Sequence, residues 1–237
     1  MNNLAMTSAL LYDILRIERR EIRTLTVQPS KGQQHIRCVL TTASLDDCPA
    51  YTALSYVWGD AQDRVSIYVN GTEFSATRNL ALALRYIQKP DEDVVLWVDA
   101  VCINQGDIDE RNSQVQLMGT LYTEARFVLI WLGEADPTTD ELVSAVEDKD
   151  TPVAPLPDAE DFITAHSDYA LQVHRRMILF DIIALRSWWQ RVWTVQECVL
   201  PRSDPTFQCG ARYFTWRKFF DVFHDTFRKA QTGLNSM

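Results

Sequence analysis

The chain has 237 residues, 46% of them hydrophobic, and a formal net charge of −9. This size and composition suffice to bury one sizeable core, so we expect a single domain over residues 1–237. The sequence contains no apolar run of the roughly 18 residues that a membrane span needs. Its first residues also lack the basic and apolar regions of a secretory signal. We therefore expect a soluble, cytoplasmic protein.

The negative charge is concentrated in one segment. Residues 134–161 contain ten acidic residues and one lysine, and the rest of the chain balances at 22 acidic and 22 basic residues. The same segment contains four prolines: Pro137, Pro152, Pro155 and Pro157. Such a composition buries too little apolar surface to offset the entropy of ordering, so we predict a surface loop over 134–161, either a solvated linker or a partner-binding segment. No basic stripe indicates nucleic-acid binding.

The cysteines and histidines give no metal-binding pattern. The five cysteines are scattered without a CxxC pair, and the four histidines have no ligand spacing relative to them. We expect reduced thiols and no metal site. The cysteines are Cys38, Cys48, Cys102, Cys198 and Cys209.

The first half of the chain alternates between strand and helix patterns. Val65, Ile67 and Val69 alternate up to Asn70-Gly71, a strong hairpin-turn signal. Further along, apolar residues at helical spacing stop just before Pro90. The predicted elements are a strand over 51–58, a β-ribbon over 65–74, a helix over 77–88, a strand over 94–99, a helix through 115–125 and a strand over 127–132.

The second half adds helices and one hairpin. The predicted elements are a helix from Tyr169 to Ala184, a short helix marked by Val192, Val195 and Val199, a hairpin over 207–214, and a last helix capped by Thr215. That last helix carries the aromatic residues Trp216, Phe219, Phe220, Phe223 and Phe227. Alternation of this kind predicts a three-layer α/β fold with a small β-ribbon insertion and a C-terminal helical extension.

Polar residues follow the predicted strands, where binding sites gather in α/β sheets. On the short helix, Trp189, Trp193 and Glu197 recur every four residues, which predicts one face with two aromatic rings and a carboxylate. Indole rings can stack on a planar base. The candidate binding residues are Ser55, Tyr56, Trp58, Gly59, Asp60, Asp99, Cys102, Asn104, Gln105, Arg111, Trp189 and Trp193.

Structural roles compete with these assignments. Asp99 and Asn104 are equally suited to capping turns. Arg191 and Glu197 are alternatively a structural ion pair on a helix surface. Cys102 and Cys198 have no histidine in their motifs to activate them and are more typical of inert small hydrophobes. Four tryptophans are typical of a buried core: Trp58, Trp97, Trp131 and Trp188.

Four ordered motifs resemble the HET (heterokaryon incompatibility) domain family. They are YTALSYVWGD, LWVDAVCINQ, ERNSQVQLMGTLYTEARFVLIWLG and RSWWQRVWTVQE, and the resemblance covers about residues 12–220. The family is implicated in fungal non-self recognition and regulated cell death, and it is regarded as similar to TIR domains. The resemblance therefore implies a flavodoxin-like, mostly parallel sheet flanked by helices.

Many TIR domains hydrolyse NAD at the bond between nicotinamide and ribose, using the glutamate of a W-C-x-x-E motif. Trp193 and Glu197 have the spacing of that motif, with Thr194 in place of the cysteine. By resemblance, Glu197 is the candidate catalytic residue and NAD the candidate substrate, with no permanently bound cofactor. Residues 55–60 and Asp99 would then face NAD, and Arg111 would contact phosphate.

A second function class stays open, in which the domain is a non-catalytic signalling module that recruits partners. Under either hypothesis the resemblance implies a homo-oligomer or an assembly with other death-signalling proteins. The chain ends at Met237, soon after the last predicted helix. It is either a stand-alone form or part of a longer protein.

Overall fold

A single mixed sheet organises the computed structural model, which describes residues 11–32, 34–47, 49–147 and 168–234. Nine strands within these residues lie in the order β5-β4-β2-β1-β6-β3-β7-β8-β9. They are β1 (Glu21–Val27), β2 (Arg37–Ser44), β3 (Thr52–Tyr56), β4 (Arg64–Val69), β5 (Thr72–Thr77), β6 (Val94–Trp97), β7 (Phe127–Trp131), β8 (Thr206–Cys209) and β9 (Arg212–Thr215).

The centre of the sheet is parallel, and its flanks are not. Strands β6, β3, β7 and β8 pair in parallel, as does β2 with β4. The pairings β1-β2, β1-β6, β4-β5 and β8-β9 are antiparallel. The described sheet is therefore evenly mixed, where a mostly parallel sheet was expected.

Strands β1 and β2 were not predicted as strands. Ile22, Leu25 and Val27 of β1 are fully buried, but Arg23 and Thr24 between them are buried too. These interleaved polar residues conceal the apolar pattern of a strand that is covered on both faces. In β2 only Cys38 and Leu40 are buried, and Leu40 pairs with Leu25 across the antiparallel ladder.

The helices are α1 (Arg78–Ile87), α2 (Asp99–Cys102), α3 (Ile108–Glu124), α4 (Pro137–Glu147), α5 (Asp168–Ala184), α6 (Thr194–Val199) and α7 (Trp216–Leu234). Both ends of α1 agree with the prediction, and its Thr77 cap accepts a hydrogen bond from the Leu80 amide at 3.4 Å. Asp107 is the N-cap of α3, and its carboxylate accepts from the amides of Asp109 and Glu110. The β-ribbon, now β4 and β5, and the hairpin β8-β9 are also confirmed.

The predicted acidic loop is wrong over residues 137–147, which form α4. Asp136 caps this helix by accepting from the Thr139 amide at 2.8 Å, and Pro137 occupies the first helical position. Leu142, Val143 and Val146 are buried. These few apolar residues share one face, so helical spacing outweighs the acidic composition. Residues 134–136 have no regular secondary structure, as predicted, and residues 148–161 of the predicted loop lie outside the described residues.

The segment before Glu197 is not one continuous helix. Residues Ser187–Gln190 form a short 3-10 helix, and Arg191 is extended at φ −87° and ψ 140° before α6 begins. The three valines used to predict this helix, Val192, Val195 and Val199, are exposed, although two of them do lie in α6.

The core lies around the central strands. Trp97, Trp131 and Trp188 are buried in it as predicted. Trp58 is not, because its side chain is 44% exposed beyond the end of β3. The α7 helix begins after Thr215 as predicted and packs against α5 through the Phe180 and Phe219 rings, with centroids 4.8 Å apart.

Candidate functional site

The carboxyl ends of β3 and β6 bring the first two motifs together. These strands are parallel neighbours, with Ala53 opposite Trp97. Ser55 is near the end of β3, and Asp99 begins α2 with one residue between it and the end of β6. The predicted convergence at this edge therefore occurs.

Glu197 reaches the same edge from α6 and is completely buried. Its Oε2 accepts from Ser55 Oγ at 2.5 Å and from Arg191 Nη1 at 3.3 Å. Its Oε1 accepts from Arg191 Nη2 at 3.2 Å and from the Tyr122 hydroxyl at 3.4 Å. Ser55 Oγ in turn accepts from Trp188 Nε1 at 2.7 Å. We call these five residues the polar centre.

The polar centre compensates the negative charge of Glu197 inside the protein. One guanidinium spans both carboxylate oxygens, and two hydroxyl groups donate to them. The predicted ion pair of Arg191 and Glu197 is thus present, but its carboxylate lies in the interior and not on a helix surface. A buried pair of this kind needs hydrogen bonds to offset the loss of hydration.

Asp99 forms a second carboxylate site beside the polar centre. Its Oδ2 accepts from Trp58 Nε1 at 2.9 Å, and its Oδ1 accepts from the Ala100 amide at 2.7 Å. Burial raises the pKa of Asp99, and the negative charge of Glu197 adds to this, while Trp58 and Arg191 oppose it. Asp99 thus both caps its helix and faces the candidate site.

Two buried tyrosines lie close enough to these charged groups to interact with them: Tyr56 with Asp99, and Tyr122 with both Asp99 and Glu197. Burial raises the pKa values of Tyr56 and Tyr122 well above the usual value. The Tyr56 hydroxyl has no hydrogen-bond partner among the described residues, although it is buried. Asp99 and Arg191 are among the charged groups that act on its pKa. An unpaired buried hydroxyl of this kind is uncommon and calls for a water or ligand.

Several predicted residues shape the site without entering it. Gly59 has φ +79°, and a Cβ there would lie 3.3 Å from the Asn79 Cβ. Asp60 accepts from the Gln62 amide in the turn that follows. Gln105 Nε2 donates to the Asp99 carbonyl at 2.9 Å, and the Asn104 carboxamide caps the Gly106 amide.

Neither Cys102 nor Arg111 makes a hydrogen bond to Glu197. Cys102 is fully buried, its Sγ accepts from the Val98 amide, and burial raises its thiol pKa to about 12. The Arg111 side chain lies on the exposed side of α3 and forms no hydrogen bond or ion pair with any described residue.

The predicted face of Trp189, Trp193 and Glu197 does not exist, because the extended Arg191 interrupts the helix. Trp189 belongs to the 3-10 helix and stacks on Phe207, with ring centroids 5.6 Å apart. Trp193 precedes α6 and is 40% exposed. Four-residue spacing places side chains on one face only where the helix is continuous.

Sequence reasoning missed three participants of the region. Tyr122 was assigned only to the predicted helix through 115–125, and Trp188 only to the core. Asn79 was not considered, yet it accepts from Trp131 Nε1 at 2.9 Å and donates to the Val57 carbonyl at 2.5 Å. The motifs contain Tyr122 and Trp188, but nothing in the sequence assigns their polar atoms to Glu197 or Ser55.

A second buried ion pair contacts the last residue of α2. Arg23 donates to Glu110 through Nη1 at 2.7 Å and Nη2 at 2.9 Å. Arg23 also donates to the Cys102 carbonyl at 3.1 Å and to the Asp13 carbonyl. This pair fixes the loop after β6 and was not predicted.

The described residues define a mixed α/β protein with a buried carboxylate and arginine at the carboxyl edge of its sheet. No group of three or more potential metal ligands occurs among them. Nor does any helix in this part of the chain have the length and apolar character to cross a membrane.

Comparison with known proteins gives the family. Residues 51–197 match the family model of Heterokaryon incompatibility protein (HET). The chain is also 30% identical to Heterokaryon incompatibility protein 6, OR allele, of Neurospora crassa, over 226 aligned positions that cover 80% of this chain and 33% of that relative. It thus spans about a third of the relative's length. No solved structure matches significantly. The chain belongs to the HET family, as its four motifs predicted.

Proposed function

We propose that this chain is a signalling domain of heterokaryon incompatibility, which triggers cell death on non-self recognition. One observation carries the proposal. The stretch that matches the family model begins at Tyr51, before β3, and ends at Glu197. It therefore encloses every residue of the polar centre. The Neurospora crassa relative is named as a heterokaryon incompatibility protein, and the aligned region is 33% of its length.

Expression in a filamentous fungus tests this proposal. Induction of the wild-type chain should kill hyphae, measured by uptake of a vital dye. The Glu197→Gln variant should kill less, because it removes the carboxylate charge around which the polar centre is built. A matched control is Glu92→Gln, since Glu92 pairs only with Lys89 on the surface and its side chain is 70% exposed. Hyphae that survive wild-type protein at high expression would contradict the proposal.

The burial of Glu197 favours a signalling module that acts through assembly and partner recruitment. A catalytic carboxylate must touch its substrate, whereas this one is completely buried and its two oxygens accept four hydrogen bonds from neighbouring side chains. Under this proposal the polar centre holds β3, α3 and α6 in one arrangement. Light scattering of the purified protein should then detect self-association, and Ser55→Ala should weaken it.

NAD hydrolysis is the second candidate. It is favoured by the two neighbouring carboxylates, Asp99 and Glu197, beside the exposed Trp58 indole. Cleavage between ribose and nicotinamide passes through an oxocarbenium-like transition state with a neutral leaving group. Glu197 would bind the ribose hydroxyls and stabilise the cation. The parallel strands β6-β3-β7-β8 would then correspond to a TIR-like core.

Nicotinamide release separates these two candidates. Purified protein at high concentration is incubated with NAD, and wild type is compared with Glu197→Gln and the Glu92→Gln control. Release by wild type and control alone supports hydrolysis at Glu197. No release by any of them supports the signalling module. Equal release by all three would mean that Glu197 is not the catalytic residue.

A further inference from the structure

The two buried arginine–carboxylate pairs differ in how tightly they are made. In the pair of Arg23 and Glu110 the atoms are 2.7 and 2.9 Å apart, and the arginine side chain is 1% exposed. In the pair of Arg191 and Glu197 they are 3.2 and 3.3 Å apart, and the arginine side chain is 21% exposed. Charge-assisted hydrogen bonds are usually about 2.7–2.9 Å long. Arg191 is therefore the looser partner.

Glu197 is held in place without Arg191. Ser55 Oγ donates to its Oε2 at 2.5 Å, and Trp188 Nε1 fixes that hydroxyl at 2.7 Å. Ser55, Tyr122 and Trp188 are all buried, so Arg191 is the only described partner in the polar centre that reaches solvent. It also lies on the extended residue that ends the 3-10 helix, whose backbone N–H donates to the Trp188 carbonyl at 3.3 Å.

We propose that Arg191 is a removable cover over Glu197. Rotation of its side chain into solvent uncovers the carboxylate, while Ser55 and Trp188 keep that carboxylate in position. The uncovered site contains Glu197 with Asp99 nearby and the unpartnered Tyr56 hydroxyl. It lacks the guanidinium of Arg191, whose positive charge acts on both Glu197 and Asp99. A ligand that holds the cover open therefore supplies hydrogen-bond donors or a positive charge of its own.

The inference rests on the proposed function only in treating the polar centre as the functional site. While Arg191 covers the carboxylate of Glu197, that carboxylate cannot bind a ligand. Movement of Arg191 away from it is therefore the regulated step. In a purely structural pair, loss of the arginine leaves a dry, unpaired charge. Under a removable cover, water enters where the guanidinium was and hydrates Glu197, so the fold loses little stability.

Carboxyl labelling measures the uncovering directly. Folded protein is treated with a water-soluble carbodiimide and an amine, and labelling of Glu197 is read by peptide mass spectrometry. We expect Arg191→Ala to raise labelling of Glu197 several-fold over wild type and to lower Tm by no more than about 4 °C. The matched control is Arg23→Ala, which breaks the tight pair and should lower Tm by about 9 °C or more.

Three outcomes would contradict the proposal that Arg191 is a removable cover. These are a fall in Tm for Arg191→Ala as large as that of Arg23→Ala, an unlabelled Glu197 in the folded variant, and failure of the Arg191→Ala chain to fold. Arg191→Lys provides a second variant, in which labelling should lie between wild type and Arg191→Ala. The labelling experiment needs neither cells nor activity. A wild-type chain that is harmless to hyphae would therefore contradict the proposed function without affecting the inference about Arg191.

Discussion

Replacing Ser55 by alanine tests the energetics of the polar centre. The hydroxyl donates to Glu197 Oε2 at 2.5 Å and accepts from Trp188 Nε1 at 2.7 Å, and all three residues are buried. The variant loses one hydrogen bond to a charged group and leaves the indole N–H unpaired. Losses of this kind cost about 1–3 kcal/mol each. We expect the free energy of unfolding to fall by roughly 3 kcal/mol.

Thermal unfolding followed by circular dichroism measures this loss. For a chain of this length, about 3 kcal/mol corresponds to a fall in Tm of about 9 °C. Ser66→Ala is the matched control, since Ser66 is also on a strand but is exposed, and it should change stability by no more than about 0.5 kcal/mol. If Ser55→Ala stays within about 1 kcal/mol of wild type, the hydroxyl is not the energetic link between β3 and α6.

Three further predictions concern single positions near the site. Gly59→Ala should lower Tm more than Gly71→Ala, because both glycines have positive φ but only at Gly59 does a Cβ approach another side chain. Burial raises the folded-state pKa of Asp99 above its ordinary value of 3.8, so its ionisation destabilises the fold by an amount that grows as the pH rises from 3.8 to the folded-state pKa and is constant above it. Urea unfolding should therefore show Asp99→Asn gaining stability relative to wild type between pH 4 and pH 7; a constant difference would contradict the raised pKa. The Cys102 thiol, with its pKa raised to about 12, should resist iodoacetamide at pH 8 until the protein unfolds, and mass spectrometry of the folded protein detects any exception.

The elements with simple periodicity could be predicted from the sequence. The helix after Thr77, the hairpin at Asn70-Gly71 and the central strands β6 and β7 each follow from local patterns. Strand β1 could not be predicted in this way, because Arg23 is buried by an ion pair with Glu110, 87 residues further along the chain. No local pattern contains that partner.

The candidate site divides in the same way. Their positions after predicted parallel strands selected Ser55 and Asp99 and indicated that they would meet, and motif resemblance made Glu197 the catalytic candidate. The sequence did not predict that Glu197 would be buried, since exposure depends on what packs around the carboxylate. Trp189 and Trp193 show the opposite error, in which regular spacing was extended across a break at Arg191.

By itself, the sequence determined the family, the alternation of strands and helices, and the residues that carry the motifs. Only the tertiary structure decided the antiparallel flanks of the sheet, the helix at 137–147 and the enclosure of Glu197 by Ser55, Tyr122 and Arg191. The physical reason is the range of the interactions. Local patterns reflect backbone geometry within a few residues, whereas the Ser55–Glu197 hydrogen bond joins positions 142 residues apart and exists only after the sheet has formed.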